Sequence, residues 1–233
     1  MDIKLSKFFN ANFIRMALLF TLLVISANAL EEVIDDVFFD PIEGDYEFEQ
    51  FDSKVSDFVR QIESDNVTAV MRDLTSLGSI SVATIMALVA GLMLFIFRRY
   101  LNLLYLLIVC GATPLIVTTL KLFFGRERPP ETNWLLDYMP GLSFPSGHSF
   151  TSAAIYLAIA YILTVEVKRW PFELLIYSVM LMVIFLVGVS RIYLGVHYAT
   201  DVIAGISSGI IWVMLVTMAF EYYSKFHKAG KHN

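Results

Sequence analysis

Long uncharged runs broken by short polar clusters set the pattern of this chain. Residues 74–97 carry no charge and stop at Arg98-Arg99, and residues 101–120 carry none and stop at Lys121. Three further runs follow, at 150–165, 174–190 and 202–220. An earlier one, 16–30, is extended backwards by Phe13 and Ile14. Each approaches or matches the ~17–25 residues that cross a hydrocarbon layer as a helix. The pattern predicts an all-α integral membrane six-helix bundle, with Pro114 a candidate kink in its span.

Between the first run and the second the pattern changes. Residues 31–50 hold Phe38, Phe39, Tyr46 and Phe48 without a clean period, which predicts a mobile or surface-lying segment. From Phe51 a helical period sets in: Phe51, Val55, Phe58, Val59 and Ile62 share one face, with Asp52, Lys54, Asp57 and Arg60 elsewhere. An amphipathic helix lying on the membrane surface fits that spacing. The chain thus divides into 1–30, a first transmembrane span or a signal peptide; 31–73, an acidic segment with an amphipathic helix; 74–220, a core with five transmembrane helices; and 221–233, a basic tail. Ala27-Asn28-Ala29 has the form of a signal-peptidase site. The added apolar length from Phe13, Ile14 and Met16 favours an uncleaved span.

Composition agrees with a bilayer solvent: 57% of the 233 residues are hydrophobic and 17% charged. The single Cys110 excludes an intramolecular disulfide and reads as a small core residue. The net charge of −5 hides two regions, because residues 31–73 hold fourteen Asp/Glu against three Lys/Arg. No basic surface for nucleic acid follows from such a distribution. If the spans alternate, Lys4, Lys7, Arg15, Arg98-Arg99, Lys168-Arg169 and the lysines of the tail share one side. By the positive-inside rule that side is cytoplasmic. The acidic segment and three polar clusters then face the extracytoplasmic (periplasmic) side of a cell inner (plasma) membrane.

Those clusters are Lys121 to Pro129, Pro145-Ser146-Gly147-His148, and Ser190-Arg191 followed by His197 and Asp201. If the helix continues past Lys121, Arg128 lies two turns on and points the same way. Lys121, Arg128 and Arg191 converging at one membrane face suit a tetrahedral dianion, with Arg as a planar fork of donors and Lys as a point charge. Pro145-Ser146-Gly147-His148 reads as a turn into a helix N-terminus, whose N–H groups and Ser146 hydroxyl also favour an anion. His197 and Asp201, four apart, share a face if helical, so the carboxylate holds one imidazole tautomer. His197 is then a candidate nucleophile toward phosphorus and His148 a candidate acid for the leaving oxygen. A charge such as Asp201 opening an apolar run needs a partner or a function, since burying it in the bilayer costs about 2.5–3.5 kcal/mol. Arg126 and Glu127 fall outside this set and are expected to face headgroups or water. Trp134, Tyr193 and Tyr198 are expected as interfacial aromatics, and His227 and His232 as solvated tail residues.

Lys121-x6-Arg128-Pro129, Pro145-Ser146-Gly147-His148 and Ser190-Arg191-x5-His197-x3-Asp201 together resemble the three signature motifs of the type 2 phosphatidic acid phosphatase superfamily. That group holds membrane lipid phosphatases and vanadium-dependent haloperoxidases, and the resemblance spans roughly residues 74–220. It implies phosphate binding by Lys121, Arg128 and Arg191, with Ser146 and Gly147 assisting. It further implies His197 as a nucleophile forming a phosphohistidine, Asp201 as its orienting partner, His148 as general acid, and neither metal nor cofactor. The expected activity is removal of a terminal phosphate from a membrane lipid phosphate or diphosphate. Undecaprenyl diphosphate, phosphatidylglycerol phosphate and phosphatidic acid are the candidate substrates. A non-hydrolytic phospholipid or phosphate transporter is the reading from another class, and haloperoxidase chemistry a third. Partners are the bilayer and its lipids; the motifs specify no oligomeric state.

Overall fold

The computed structural model describes residues 11–39, 47–137, 139–166 and 170–229. Helix follows helix: α1 (Ala11–Ile34), α2 (Glu47–Gln61), α3 (Asp65–Ser76), α4 (Ile80–Ile96), α5 (Tyr100–Phe124), α6 (Gly147–Glu166), α7 (Trp170–Tyr193) and α8 (Ala199–Ala229). No strand occurs among the described residues. Among the described residues, four helices, α5 to α8, are long and apolar enough to cross a membrane, and α3 with α4 forms a fifth candidate span bent by 46°. Lys4, Lys7, Lys168, Arg169, Lys231 and His232, named above for orientation or solvation, lie outside the described residues.

The run at 74–97 is therefore not one straight helix. Leu77, Gly78 and Ser79 break it, and Ser79 starts α4 by accepting the Val82 N–H on its hydroxyl at 3.3 Å. Such a cap satisfies a donor that the helix leaves open and so favours a restart at this residue. Gly78 suits the break, since a Cβ on it would fall 2.5 Å from Val187 Cγ1 and 3.1 Å from the His148 carbonyl. Pro114, by contrast, sits inside an α5 that runs unbroken for 25 residues.

α6 and α8 form the centre, and α4, α5 and α7 turn apolar side chains such as Leu92, Leu115, Leu122 and Phe185 outward. In water that surface would be a large apolar liability; in a bilayer it is the expected exterior. Small residues let α6 and α8 approach closely: a Cβ on Gly209 would lie 2.7 Å from the Phe150 carbonyl. Deeper in, Tyr105 is fully buried, shares a hydrogen bond with Thr217 at 2.9 Å and stacks near Tyr161 and Phe220. A buried phenol needs such a partner, because an unpaired hydroxyl in hydrocarbon is costly.

The described parts of the acidic segment, residues 31–39 and 47–50, are helical despite their lack of a clean period. α1 packs along α8 and runs into a π-helical turn at Asp35–Phe39. Phe38 then lies 4.7 Å from the Phe124 ring and 5.0 Å from the Phe144 ring. Val33 is buried in the same cluster, which Phe48 also joins. Residues 40–46 lie outside the described ones. α2 is the helix expected from its period, and Phe58 and Ile62 stay exposed. One residue of its polar face, Asp52, is nonetheless buried against the start of α8, while Lys54, Asp57 and Arg60 stay exposed. The ends of α5 and α7 and the starts of α6 and α8 thus meet at one end of the bundle, with Arg98-Arg99 at the other.

Candidate active site

α5 ends where Gly125 adopts a left-handed φ of 65° and donates back to the Lys121 carbonyl. Glycine reaches that conformation without the Cβ penalty and so terminates helices. The helical extension expected from Lys121 to Arg128 does not occur. Beyond Gly125 the backbone is non-helical, and alternate side chains take the same side as in an extended chain. Arg126 and Arg128 both turn inward, while Glu127 is exposed as expected. Arg126, expected to face headgroups or water, is thus a correction: its Nη1 donates to Asp201 Oδ1 at 2.8 Å and its Nη2 to Asp52 Oδ2 at 3.0 Å. A helical period misplaces it, whereas the alternation of an extended segment puts it beside Arg128.

Two of the remaining cations, Lys121 and Arg128, rest on backbone carbonyls. Lys121 Nζ donates to the Leu142 and Ser143 carbonyls. Arg128 donates from Nε to the Gly141 carbonyl at 3.0 Å and from Nη1 to the Val196 carbonyl at 2.8 Å. Arg191, in the last turn of α7, is 1% exposed. Its Nη1 donates to Thr75 Oγ1 at 2.9 Å, and its Nε has no partner among the described residues. A buried guanidinium with an unused N–H is costly unless something else accepts it. Arg128, Arg191 and Lys121 lie within electrostatic reach of one another. Gathered like charges of this kind make a seat for a multivalent anion.

α6 supplies donors of another type. Ser146 precedes its first turn, and its Oγ accepts from Ser149 Oγ at 3.0 Å and, weakly, from Ser149 N. The hydroxyl is therefore fully buried as a helix cap, retaining its own proton to donate. Gly147 and His148 follow, with first-turn N–H groups that no intrahelical carbonyl takes. Gly147 lies against Lys121, within 3.8 Å of its Cε from the Cβ position. His148 faces the electrostatic field of Arg191, His197, Arg128 and Lys121 together.

His197 and Asp201 meet, but not along a helix. α8 begins at Ala199, so His197 lies in the preceding loop and Asp201 in the first turn. His197 Nδ1 stands 3.3 Å from Asp201 Oδ2 and 3.2 Å from Ser143 Oγ. The same carboxylate oxygen accepts the Tyr198 N–H at 2.9 Å and the Ser143 hydroxyl. With Nδ1–H on Asp201, Nε2 is left as the acceptor, and Arg128 Nη1 lies 3.1 Å from it. Burial lowers the His197 pKa to about 3 against the opposing pull of Asp201. The ring is therefore neutral at neutral pH, with its Nε2 the acceptor that faces Arg128. Burial also lowers the Arg128 pKa, opposed by Asp201.

Ser143 was not among the candidates, because nothing in its spacing marks a residue two before Pro145. The loop itself carries it in, through Ser143 N to the Arg126 carbonyl at 2.8 Å and Ser146 N to the Asp201 carbonyl at 2.9 Å. Tyr193 is also a correction to the interfacial reading. Tyr193 is buried with its hydroxyl against Thr68 Oγ1 at 3.0 Å, and Tyr198 lies under Arg126 at 4.2 Å. Burial raises the Tyr198 pKa, with Arg126 opposing. Trp134 donates from Nε1 to the Pro129 carbonyl at 2.9 Å.

Two openings adjoin this constellation. An apolar groove of about 520 Å³ between α4, α5 and α6 passes Ala87, Leu107, Cys110 and Gly111 and reaches Lys121 and His148. Cys110 thus lines a groove instead of sitting sealed in the core. A more polar cleft of about 300 Å³ lies between α2 and the loop before α8, and reaches His197. Among the described residues, no group of three His, Cys, Asp or Glu side chains is placed to hold a metal ion.

The model of the PAP2 superfamily matches residues 99–225. Phosphatidylglycerophosphatase B of Bacillus subtilis (strain 168) is 35% identical over 168 residues, covering 68% of this chain and 78% of that protein. Lipid A 4'-phosphatase of Porphyromonas gingivalis is 34% identical over 99 residues, 39% of either chain. The crystal structure described as the first transmembrane PAP2 type phosphatidylglycerolphosphate phosphatase from Bacillus subtilis superposes with a TM-score of 0.71. It is 29% identical, over 88% of this chain and 96% of that one.

Proposed function

We propose, for a chain that belongs to the PAP2 superfamily and is a membrane lipid phosphatase, that His197 attacks the terminal phosphorus of a lipid phosphate at the extracytoplasmic face of the membrane. The observation that carries this reading is the setting of His197. Its Nδ1 is held by Asp201 at 3.3 Å, and its Nε2 looks toward Arg128 at 3.1 Å, on the side of the gathered cations. A neutral imidazole oriented in this way is a nucleophile, and an anion seat beside it is where a phosphoryl group belongs.

The steps balance within these residues. Lys121, Arg128, Arg191 and the α6 N-terminus, with Ser146 and Gly147, hold the non-bridging oxygens. His197 Nε2 forms a bond to phosphorus as the bond to the lipid oxygen breaks, and His148 gives that oxygen a proton. Water then attacks the phosphohistidine, losing a proton to His148, and inorganic phosphate leaves. The apolar groove beside Lys121 and His148 suits a lipid whose tail stays in hydrocarbon. The resemblance to phosphatidylglycerophosphatase B puts phosphatidylglycerol phosphate first among substrates, ahead of phosphatidic acid and undecaprenyl diphosphate. Arg98-Arg99, at the end of the bundle away from the site, supports an extracytoplasmic placement in a plasma membrane. The packing of α1 along α8 supports an uncleaved first span and a six-helix count.

Phosphate release by purified protein across those three lipids tests the reading, with and without a chelator. Release that His197→Ala abolishes, together with an acid-labile phosphoryl group trapped on His197 in the wild type, is the expected result. Lipid binding without release would assign the chain to transport instead, and full activity in His197→Ala would remove the mechanism.

A further inference from the structure

The carboxylate that orients His197 is itself held from outside the signature positions. Asp201 is fully buried, and Arg126 is the cation that pairs with it, Nη1 to Oδ1 at 2.8 Å. The same guanidinium reaches Asp52 Oδ2 at 3.0 Å, so that one cation bridges two buried carboxylates. Thr200 closes the ring, accepting from Arg126 Nη1 at 2.7 Å and donating to Asp52 Oδ2 at 2.7 Å. Asp52 Oδ1 also accepts the Thr200 N–H at 2.9 Å, so α2 caps the N-terminus of α8. Tyr198 lies beneath the guanidinium at 4.2 Å, which fixes its plane. We propose that Arg126 and Asp52 are positioning residues for the His197–Asp201 pair, so that α2, which lies outside all three motifs, is a working part of the active site.

The inference rests on the assignment of His197 as nucleophile. A fork of donors is needed here, because one planar group must serve two carboxylates and a hydroxyl at once; a lysine point charge cannot span them. If Arg126 is lost, Asp201 keeps its contact with His197 but loses its counter-charge, and both its direction and its pull on the imidazole change. Other charges facing His197 are Arg128 from the segment after α5, Arg191 from α7 and His148 from α6. α2 adds Asp52, Asp57 and Arg60 along the cleft that reaches the ring. All of these remain in an Arg126 variant, so a change in the pH profile reports the missing guanidinium.

The experiment measures kcat, KM, the pH profile and thermal unfolding of full-length protein in detergent. The variants are Arg126→Met, Arg126→Lys, Asp52→Asn and the double variant Arg126→Met/Asp52→Asn. Loss of orientation at a reacting group is expected to lower kcat about 100-fold in Arg126→Met, with KM within about threefold of wild type. The acid limb of its pH profile moves to higher pH, because an unbalanced Asp201 favours protonated His197. Arg126→Lys recovers little, and Asp52→Asn gives a smaller fall in kcat. The double variant removes one uncompensated carboxylate and regains thermal stability without regaining kcat. A double variant that unfolds like wild type and also turns over like wild type would overturn the proposal, leaving Arg126 structural. So would an Arg126→Met protein with wild-type kcat and pH profile. A His197→Ala control that stays active would instead remove the underlying assignment, whatever the Arg126 variants do.

Discussion

His197 Nδ1 and Asp201 Oδ2 stand 3.3 Å apart across the junction of a loop and a helix, not along one helical face. The difference has a chemical consequence. In the loop the imidazole is free of helical rotamer limits and turns its Nε2 toward Arg128 and the cations. Asp201, in the first turn, is placed by the helix and also accepts the Tyr198 N–H. One residue is aimed by the other's secondary structure.

Asp201→Asn leaves the shape of that pair but loses its charge and tautomer control. An amide in the analogous place of a hydrolytic triad costs about 10⁴-fold in turnover. We expect a fall in kcat on the order of 10³–10⁴, with little change in lipid affinity measured by substrate protection.

The lowered pKa of His197 predicts an acid-sensitive fold. Its folded value of about 3 lies below the ordinary 6.5. Below pH 6.5 the unfolded chain binds a proton that the folded chain refuses, so this stabilisation is complete above pH 6.5 and is lost as pH falls toward 3. Thermal unfolding from pH 7 to pH 4 checks it: the wild type should lose stability more steeply than His197→Gln, which has no such proton to bind.

Gly111 lines the apolar groove, and a Cβ built on it meets nothing within 4 Å. Gly111→Trp should therefore fill the groove without straining its own helix. We expect KM for a long-chain lipid phosphate to rise about tenfold or more, as for blocked hydrophobic pockets generally. Hydrolysis of a short, water-soluble phosphate ester should stay near wild type, and a parallel loss on both substrates would count against the groove as the tail's path.

Gly195 has a φ of 72°, and a Cβ there would fall 2.0 Å from the Asn133 carbonyl. Gly195→Ala combines an unfavourable backbone with a hard clash two residues before His197. A loss of about 1–3 kcal/mol from the backbone strain alone is expected, with more from the clash. A depressed melting temperature together with weak activity is the measurable result.

Arg191→Lys removes the fork that serves Thr75 while leaving a spare N–H for an anion. Vanadate, which mimics trigonal-bipyramidal phosphorus, should inhibit the wild type competitively and bind this variant at least tenfold more weakly, the loss of one charged hydrogen bond of about 1.5–3 kcal/mol. Inhibition curves at fixed lipid concentration would show it.

Much of this protein is legible from patterning because the physics is local. Runs of about twenty uncharged residues mean helices in lipid whatever surrounds them, and α5 to α8 appear where those runs lie. Lys121, Arg128, His148, Arg191 and His197 stand out because charged and titratable groups at the ends of apolar runs are too costly to be casual. Arg126, Ser143 and Asp52 are different. Each is an ordinary polar residue in a polar stretch, and its meaning lies in a partner 58 to 75 positions away, or 148 for Asp52.

The order of the spans and the cations at one end follow from residue types and their spacing alone, whereas the imidazole–carboxylate pair forms across a loop–helix junction that the helical spacing did not describe. Folding in three dimensions decided the rest. It stopped α5 at Gly125, so that the non-helical segment beyond brought Arg126 inward; it broke the 74–97 run at Leu77–Ser79, with Gly78 close to His148; and it buried Asp52 of α2 against Arg126 and Thr200. The reason is that helix propensity and hydropathy act over a turn or a span. A buried charge is settled by whichever distant group can satisfy it, and that is known only once the helices have packed.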